Sequence, residues 1–324
     1  MHPASLLLIK PGSMGDVIHS LPVASAIHRA WPATRITWIV DPRWAPLLQG
    51  NPAIKKLHLF PRETFRGFSG FLRSIGWYRE LRSLRPAIAL DLQCLLRSGV
   101  MAACSRAGQV FGLDDAREGA AFFYHRKIPV RREEHAVRRY LRSLPALGID
   151  PETPWAWNLP AGEACAALPS GGDYAVLHPF SRGHGKSMDA ASIRAFIESF
   201  QSRSPLRLVI VGSGALETSL CGRVVDLLGK TNLLELIGIL RGARFVVSVD
   251  SGPMHLAAAL GTPLLSIHTW SDPRLVGPYS EKAWIWQGGE IRPQNLEAVP
   301  NPARPFTPAD ATLAGEFAAE AALA

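Results

Sequence analysis

Asp16 follows the apolar run Leu6–Ile9 by seven residues, in the segment Lys10-Pro-Gly-Ser13-Met14-Gly15-Asp16-Val-Ile-His19. Gly12 and Gly15 permit a tight turn there. A carboxylate just inside the helix that follows either caps it or, at the mouth of a pocket, takes a proton from a reacting hydroxyl. A second cluster, His178-Pro-Phe-Ser181-Arg-Gly-His-Gly-Lys186-Ser187, lies between the apolar run Tyr174–Leu177 and a helix expected over Met188–Phe200. It is either an ordinary polar loop or a diphosphate seat, in which the lysine ammonium meets charge gathering on a leaving group. The third, Asp250-Ser251-Gly252-Pro253-Met254-His255, puts proline where a helix begins and leaves N–H groups free to attract an anion. His255 is then either a hydrogen-bonded core residue or a ligand contact. In Val211-Gly-Ser-Gly-Ala-Leu-Glu217 the glycines would admit a nucleoside, with Glu217 on the ribose hydroxyls or simply at a helix start. No G-x-G-x-x-G or P-loop spacing occurs at these junctions, which argues against a dinucleotide-dependent oxidoreductase.

Each cluster needs a strand behind it and a helix ahead of it. Short runs at Leu6–Ile9, Ile36–Val40 and Ala87–Leu90 alternate with helical patterns, the first from about His19, and a largely helical stretch follows Leu90. A second series runs through Tyr174–Leu177, Leu208–Val211, Phe245–Val249 and Leu264–Ile267. This βα alternation predicts an α/β protein of two parallel-sheet domains. The proline-rich segment Gly148–Pro169 reads as the linker, giving domains over 1–158 and 159–306. A terminal helix, Pro308–Ala324, is free to pack on either domain.

The first 150 residues carry 22 basic and 11 acidic side chains, a net +11, while the remainder is −3. The first half is therefore expected to meet an anionic partner. Lys55–Arg85 alone holds eight basic residues interleaved with aromatics. Arg62 and Arg66 lie there in a glycine-containing loop suited to gripping a phosphate, whereas Arg79–Arg85 reads as a solvated helix face. No RRM, KH or helix-turn-helix signature accompanies the charge, so no nucleic-acid partner is expected. Cys94, Cys104, Cys165 and Cys221 form no C-x-x-C pair, and neither a zinc site nor a disulfide framework is indicated. Without a signal-peptide pattern or a run of about 20 apolar residues, the chain is expected in the cytoplasm.

With these junctions in place, the chain resembles the lipopolysaccharide heptosyltransferases, family nine of the GT-B glycosyltransferases. Ser13-Met-Gly-Asp16-Val-Ile-His19-Ser-Leu-Pro22 is similar to the N-terminal signature, in the form most like the heptosyltransferase I branch. Asp91-Leu-Gln93-Cys-Leu-Leu-Arg97-Ser98 resembles the D-x-Q-G-x-x-[RK]-S segment, with Cys94 in place of a usual glycine. Ala116-Arg117-Glu118 through Phe123-Tyr124 resembles the acceptor-side stretch, and Asp250-Ser-Gly-x-x-His255 the donor signature. Lys186-Ser-Met188-Asp189 departs from the family's usual K-x-W-P.

The resemblance implies two Rossmann-like domains facing each other across a cleft that closes over the substrates. It implies inverting transfer of L-glycero-D-manno-heptose from ADP-heptose to the Kdo of lipid A-linked inner core, with no cofactor and no obligatory metal. Asp16 would be the general base. Lys186 and the helix starting near Ser251 and Gly252 would stabilise departing ADP; Ser181, Asp250 and His255 would hold phosphates and sugar, and Glu217 the ribose. Ser13, Met14, Gly15, Arg62, Arg66, Gln93, Arg97 and Arg117 would receive the acceptor. A monomer touching the cytoplasmic face of the inner membrane is the expected form. The alternatives are a family-nine transferase with another donor or acceptor, and a noncatalytic binding protein of the same fold.

Overall fold

The structure, a computed structural model, describes residues 2–65, 67–169, 171–183, 185–216 and 222–324. The chain forms two compact units, Met1–Pro160 and Ala161–Ala324. The first contains β1 (Ser5–Ile9), α1 (Met14–Ala30), β2 (Arg35–Val40), β3 (Lys56–Leu59), α2 (Gly67–Leu84), β4 (Ile88–Asp91), α3 (Leu96–Cys104), β5 (Gln109–Leu113), β6 (Arg126–Ile128), α4 (Ala136–Leu141) and α5 (Ser143–Ala146). Its six strands lie in the order β3-β2-β1-β4-β5-β6, all parallel. The order reverses between β1 and β4, the place where an open α/β sheet leaves a crevice at its carboxyl edge. Leu6 through Ile9 are fully buried, as expected of a strand covered on both faces.

The second unit contains β7 (Tyr174–His178), α6 (Ala190–Arg203), β8 (Arg207–Ile210), β9 (Val224–Asp226), α7 (Leu233–Gly242), β10 (Phe245–Val249), α8 (Gly252–Leu260), β11 (Leu264–Ile267), α9 (Pro273–Val276), β12 (Ala283–Gln287), β13 (Glu290–Pro293) and α10 (Pro308–Ala321). The strand order is β13-β12-β11-β10-β7-β8-β9, with only β13 antiparallel to its neighbour. Here the reversal falls between β7 and β10. The terminal helix α10 packs on α6, one of the two placements open from sequence, and its Ala311, Ala314, Ala318 and Ala319 enter the core with Phe196 and Phe200.

One expectation is corrected, and the linker, which carries the unit boundary at Pro160, gains detail. The stretch after Leu90, read as largely helical, also carries β5 and β6; β6 is a three-residue edge strand whose Arg126 and Lys127 are exposed, so it has little apolar signature. The proline-rich linker is tied down on both sides of Pro160. Ala156 N–H donates to Ser25 Oγ at 2.9 Å, and Glu163 N–H to the Leu234 carbonyl at 2.9 Å. No helix among the described residues is long and apolar enough to cross a membrane.

One glycine links this core to the chemistry. A Cβ on Gly112, in β5, would lie 2.2 Å from the Tyr124 ring, and that ring must sit there for its hydroxyl to donate to Asp91 Oδ2 at 2.7 Å. Asp91 is fully buried at the end of β4, and its Oδ1 accepts the N–H groups of Gln93 and Cys94 at 2.9 and 3.0 Å, fixing the loop beyond. Gly112→Ala should therefore destabilise the protein by about 1–3 kcal/mol through overpacking. The measurement is the urea midpoint at constant slope; an unchanged midpoint would show that Tyr124 moves aside freely.

Candidate active site

In the first unit the crevice between β1 and β4 is a pocket of about 440 Å³ whose walls include Lys10, Asp16, Gln93, Arg117, Arg132 and Arg139. Asp16 closes the capping box at the start of α1 and also lines the pocket. Its Oδ2 accepts Ser13 N–H at 2.9 Å and Ser13 Oγ–H at 3.0 Å. Its Oδ1 accepts Tyr140 Oη–H at 3.1 Å and lies 3.2 Å from Lys10 Nζ. Lys10 is the residue directly after β1, and its side chain is only 4% exposed against 36% for Asp16. The ammonium also donates to the Leu92 carbonyl at 2.9 Å and to Tyr140 Oη at 2.7 Å.

Desolvation acts against both charges of this pair. Burial alone would push the Asp16 carboxyl up, but the Lys10 charge and the Ser13 hydrogen bonds outweigh it and hold the carboxyl below its usual value. Burial would likewise lower Lys10, yet its partners keep the ammonium protonated. Burial pushes the Tyr140 phenol up to about 12. Across neutral pH the site thus holds a carboxylate, an ammonium and a neutral phenol.

The expected acceptor residues are only partly gathered. Ser13 caps α1, with Met14 and Gly15 as its first helical residues. Gln93 and Arg117 line the pocket, joined by Arg132 and Arg139, which the sequence did not single out. Arg139 is paired with Asp115. Gln93 Oε1 and Arg139 Nε are buried without a hydrogen-bond partner among the described residues. Arg97 instead lies over the Phe60 ring, 5.7 Å from its centroid. Arg62 is exposed on the short 3-10 turn Arg62–Phe65, where its charge reaches Asp41. Neither is in the pocket wall. Arg66 lies outside the described residues, as does Glu217.

The second unit brings most of the expected donor residues together at the reversal between β7 and β10. Lys186 Nζ lies 2.5 Å from Asp250 Oδ2, and over the Trp270 ring at 4.4 Å. Burial would raise Asp250, but the His268 and His255 side chains and the Lys186 hydrogen bond hold it low. Ser181 Oγ–H donates to the Asp250 carbonyl at 3.3 Å, bringing the two loops together. Ser251 is the residue before α8, Gly252 its first, and His255 is buried in its first turn. Because Ser251 gives no side-chain cap, the N–H groups at this helix start keep the character of an anion seat.

Two buried imidazoles that the sequence reading passed over support this seat. His178 Nδ1 lies 3.2 Å from Ser248 Oγ and 3.1 Å from Ser251 Oγ. His268 bridges Ser266 and Ser271 at 2.8 and 2.9 Å. Gly212 has φ +129°, and a Cβ there would meet His178 at 2.9 Å; that glycine makes room for the imidazole. The unusual Lys186-Ser-Met188-Asp189 also has a local account. Met188 is core, and Asp189 caps α6 by accepting Ser192 N–H at 2.7 Å. Among the described residues no three His, Cys, Asp or Glu side chains are grouped to hold a metal ion.

Two parallel-sheet units, one presenting a carboxylate in an arginine-lined pocket and the other a lysine beside an open helix start, are the parts of a glycosyltransferase. The chain belongs to glycosyltransferase family 9, the heptosyltransferases, whose pattern matches residues 77–299. It is 32% identical to lipopolysaccharide heptosyltransferase 1 of Pseudomonas aeruginosa, over 85% of this chain and 81% of that one. It is 29% identical to lipopolysaccharide heptosyltransferase 1 of Escherichia coli K12, over 86% and 92%. The solved E. coli heptosyltransferase WaaC with ADP superimposes with a TM-score of 0.73, at 25% identity, over 87% of this chain and 92% of that one. The chain is thus a heptosyltransferase of lipopolysaccharide core synthesis.

Burial lowers His178 and His268 from the ordinary 6.5 to about 4. Below about pH 6.5 the unfolded chain then binds more protons than the folded one, and stability must fall as pH drops toward 4. Thermal melts from pH 7.5 to 4 should show this decline, and His178→Gln should flatten part of it. A decline of the same slope in the variant would remove His178 as its source.

Proposed function

We propose that the protein transfers L-glycero-D-manno-heptose from ADP-heptose to a Kdo hydroxyl of the lipid A-linked inner core, with inversion. The acceptor oxygen attacks the anomeric carbon as the bond to the diphosphate breaks, its proton passing to Asp16 and ADP departing. The observation that carries this reading is the ionised, half-exposed Asp16 carboxylate in the arginine-lined pocket, where a hydroxyl could come within reach of Oδ1. Kdo carries a carboxylate, and inner core and lipid A bear phosphates. Arg117 is the residue we assign to such a group, alongside the unpartnered Gln93 Oε1 and Arg139 Nε. Ser13, Met14 and Gly15, at the start of α1, are further residues we assign to the acceptor. Arg62 and Arg97, neither of them in the pocket wall, would act further out, on the lipid A side; Arg66 is assigned to the acceptor from its sequence context alone.

In the second unit Lys186 is the cation that meets the leaving diphosphate, aided by the start of α8 at Ser251 and Gly252. Asp250 holds that lysine in place, Ser181 and His255 contact phosphate or sugar, and Glu217 the ribose. WaaC was solved with ADP, which supports this donor. A lipid-anchored acceptor would be met at the cytoplasmic face of the inner membrane, where the +11 charge of the first 150 residues is drawn to anionic headgroups. We expect the enzyme to act there as a monomer.

The test is ADP release from ADP-L-glycero-D-manno-heptose with and without Kdo-lipid acceptor. Asp16→Ala should lower acceptor-dependent turnover by about 10²–10⁴-fold with ADP binding retained. A variant that keeps most of its rate would end the general-base assignment, and ADP binding without turnover in the wild type would call for other sugar nucleotides and acceptors. Arg117→Ala should raise the acceptor KM more than it weakens ADP binding; a donor-side defect alone would remove Arg117 from the acceptor site.

A further inference from the structure

A carboxylate offers about four acceptor positions, and on Asp16 all four face a donor: Ser13 N–H, Ser13 Oγ–H, Tyr140 Oη–H and the Lys10 ammonium. For Asp16 to receive a proton, one of them has to yield. The Ser13 bonds are the shorter ones and belong to the turn that begins α1. Lys10 is buried, and withdrawing its charge would leave Asp16 and Tyr140 uncompensated. Tyr140 differs from both. Its oxygen is anchored by Lys10 at 2.7 Å, so its hydroxyl proton can rotate off Asp16 about the C–O bond while the ring stays where α4 places it.

We propose that Tyr140 is a positioning residue of the transfer reaction, its hydroxyl reserving Asp16 Oδ1 for the acceptor and releasing it when the acceptor hydroxyl arrives. The proposal rests on reading Asp16 as the general base. In the step itself the acceptor O–H bond breaks and its proton goes to Asp16 Oδ1, while Tyr140 neither gains nor loses a proton. The raised phenol supports that role, since the hydroxyl stays protonated throughout the working range. Tyr140 is 6% exposed, yet it lines the same pocket as Asp16.

Among the described residues, the charged and titratable groups lining this pocket besides Asp16 are Lys10 from the end of β1, Cys94 beyond β4, Tyr140 and Arg139 on α4, and Asp115, Arg117 and Arg132 on the remaining walls; His19 on α1 and His135 at the start of α4 pack on each other behind it and are not in its wall. Cys94 is pushed up to about 12 by burial, Lys10 is held protonated by its partners, and Asp115 is paired with Arg139. A shift of the acid limb caused by a change at Tyr140 therefore reports on Asp16, the carboxylate that the phenol touches.

The experiment measures kcat and KM from pH 4.5 to 9 for wild type and Tyr140→Phe, with Asp16→Ala beside them. Losing one donor should raise the Asp16 pKa and move the acid limb of kcat/KM up by about one pH unit. It should also lower kcat about tenfold through looser orientation, leaving acceptor KM within about twofold. Should Tyr140→Phe fold poorly, 3-fluorotyrosine at position 140 keeps the shape and strengthens the donor, and it should move the limb the opposite way. An acid limb and kcat like wild type, or a change confined to KM, overturns the role of Tyr140 while the Asp16 reading stands. Retained turnover in Asp16→Ala would overturn that underlying reading instead.

Discussion

An ammonium group removed from water must be repaid in contacts, and in the first unit that demand falls on Lys10. Its side chain is almost wholly enclosed, and three oxygens from three places in the chain converge on it: the Leu92 carbonyl beyond β4, the Tyr140 hydroxyl on α4 and the Asp16 carboxylate on α1. Each is held by its own element, so the position of one buried charge coordinates a strand end and two helices. The same contacts set the state of Asp16. A carboxylate so well supplied with donors stays ionised at neutral pH.

The second unit pairs its cation differently. Lys186 is neutralised by Asp250 beside the start of α8, whose backbone N–H groups take no side-chain cap from Ser251. His178 and His268 are kept neutral by desolvation and serve as hydrogen-bonding struts for serines near the start of α8. Adding protons there would add charge where the fold has made no provision for it. The two units thus share a sheet plan and differ in how they hold their buried charge.

Seven strands were legible in the sequence because they are unbroken apolar runs: β1, β2, β4, β7, β8, β10 and β11 lie within a residue or so of their expected limits. The interior strands β5 and β12 are buried as well but were missed, since Gln109 and Gly112 interrupt the one and Gln287 ends the other. The edge strands were not legible, since Lys56–Leu59, Arg126–Ile128 and Glu290–Pro293 are short and keep polar faces. Helix α1 starts five residues before the expected His19, and Pro22, a residue that ordinarily ends a helix, is buried within it. At the site, Asp16, Lys186 and Asp250 were legible because each stands in a local pattern. Tyr140 was not: its partner Lys10 is 130 residues away, and no spacing rule connects them. Cys94 shows the reverse case. Its φ of +57° explains why glycine is usual at that position, yet only the backbone reveals it.

The packing of α10 on α6 also bears on how the protein is made. The first unit has its whole sheet and core once residue 160 has been synthesised. In the second, β7, α6 and β8 emerge early, while the alanines that cover Phe196 and Phe200 arrive only with residues 308–321. For most of that unit's translation an aromatic face of α6 stands without its native cover. Domains fold as units, the N-terminal one first during synthesis. The nascent second unit is therefore the stage at which chaperone contact has most to protect.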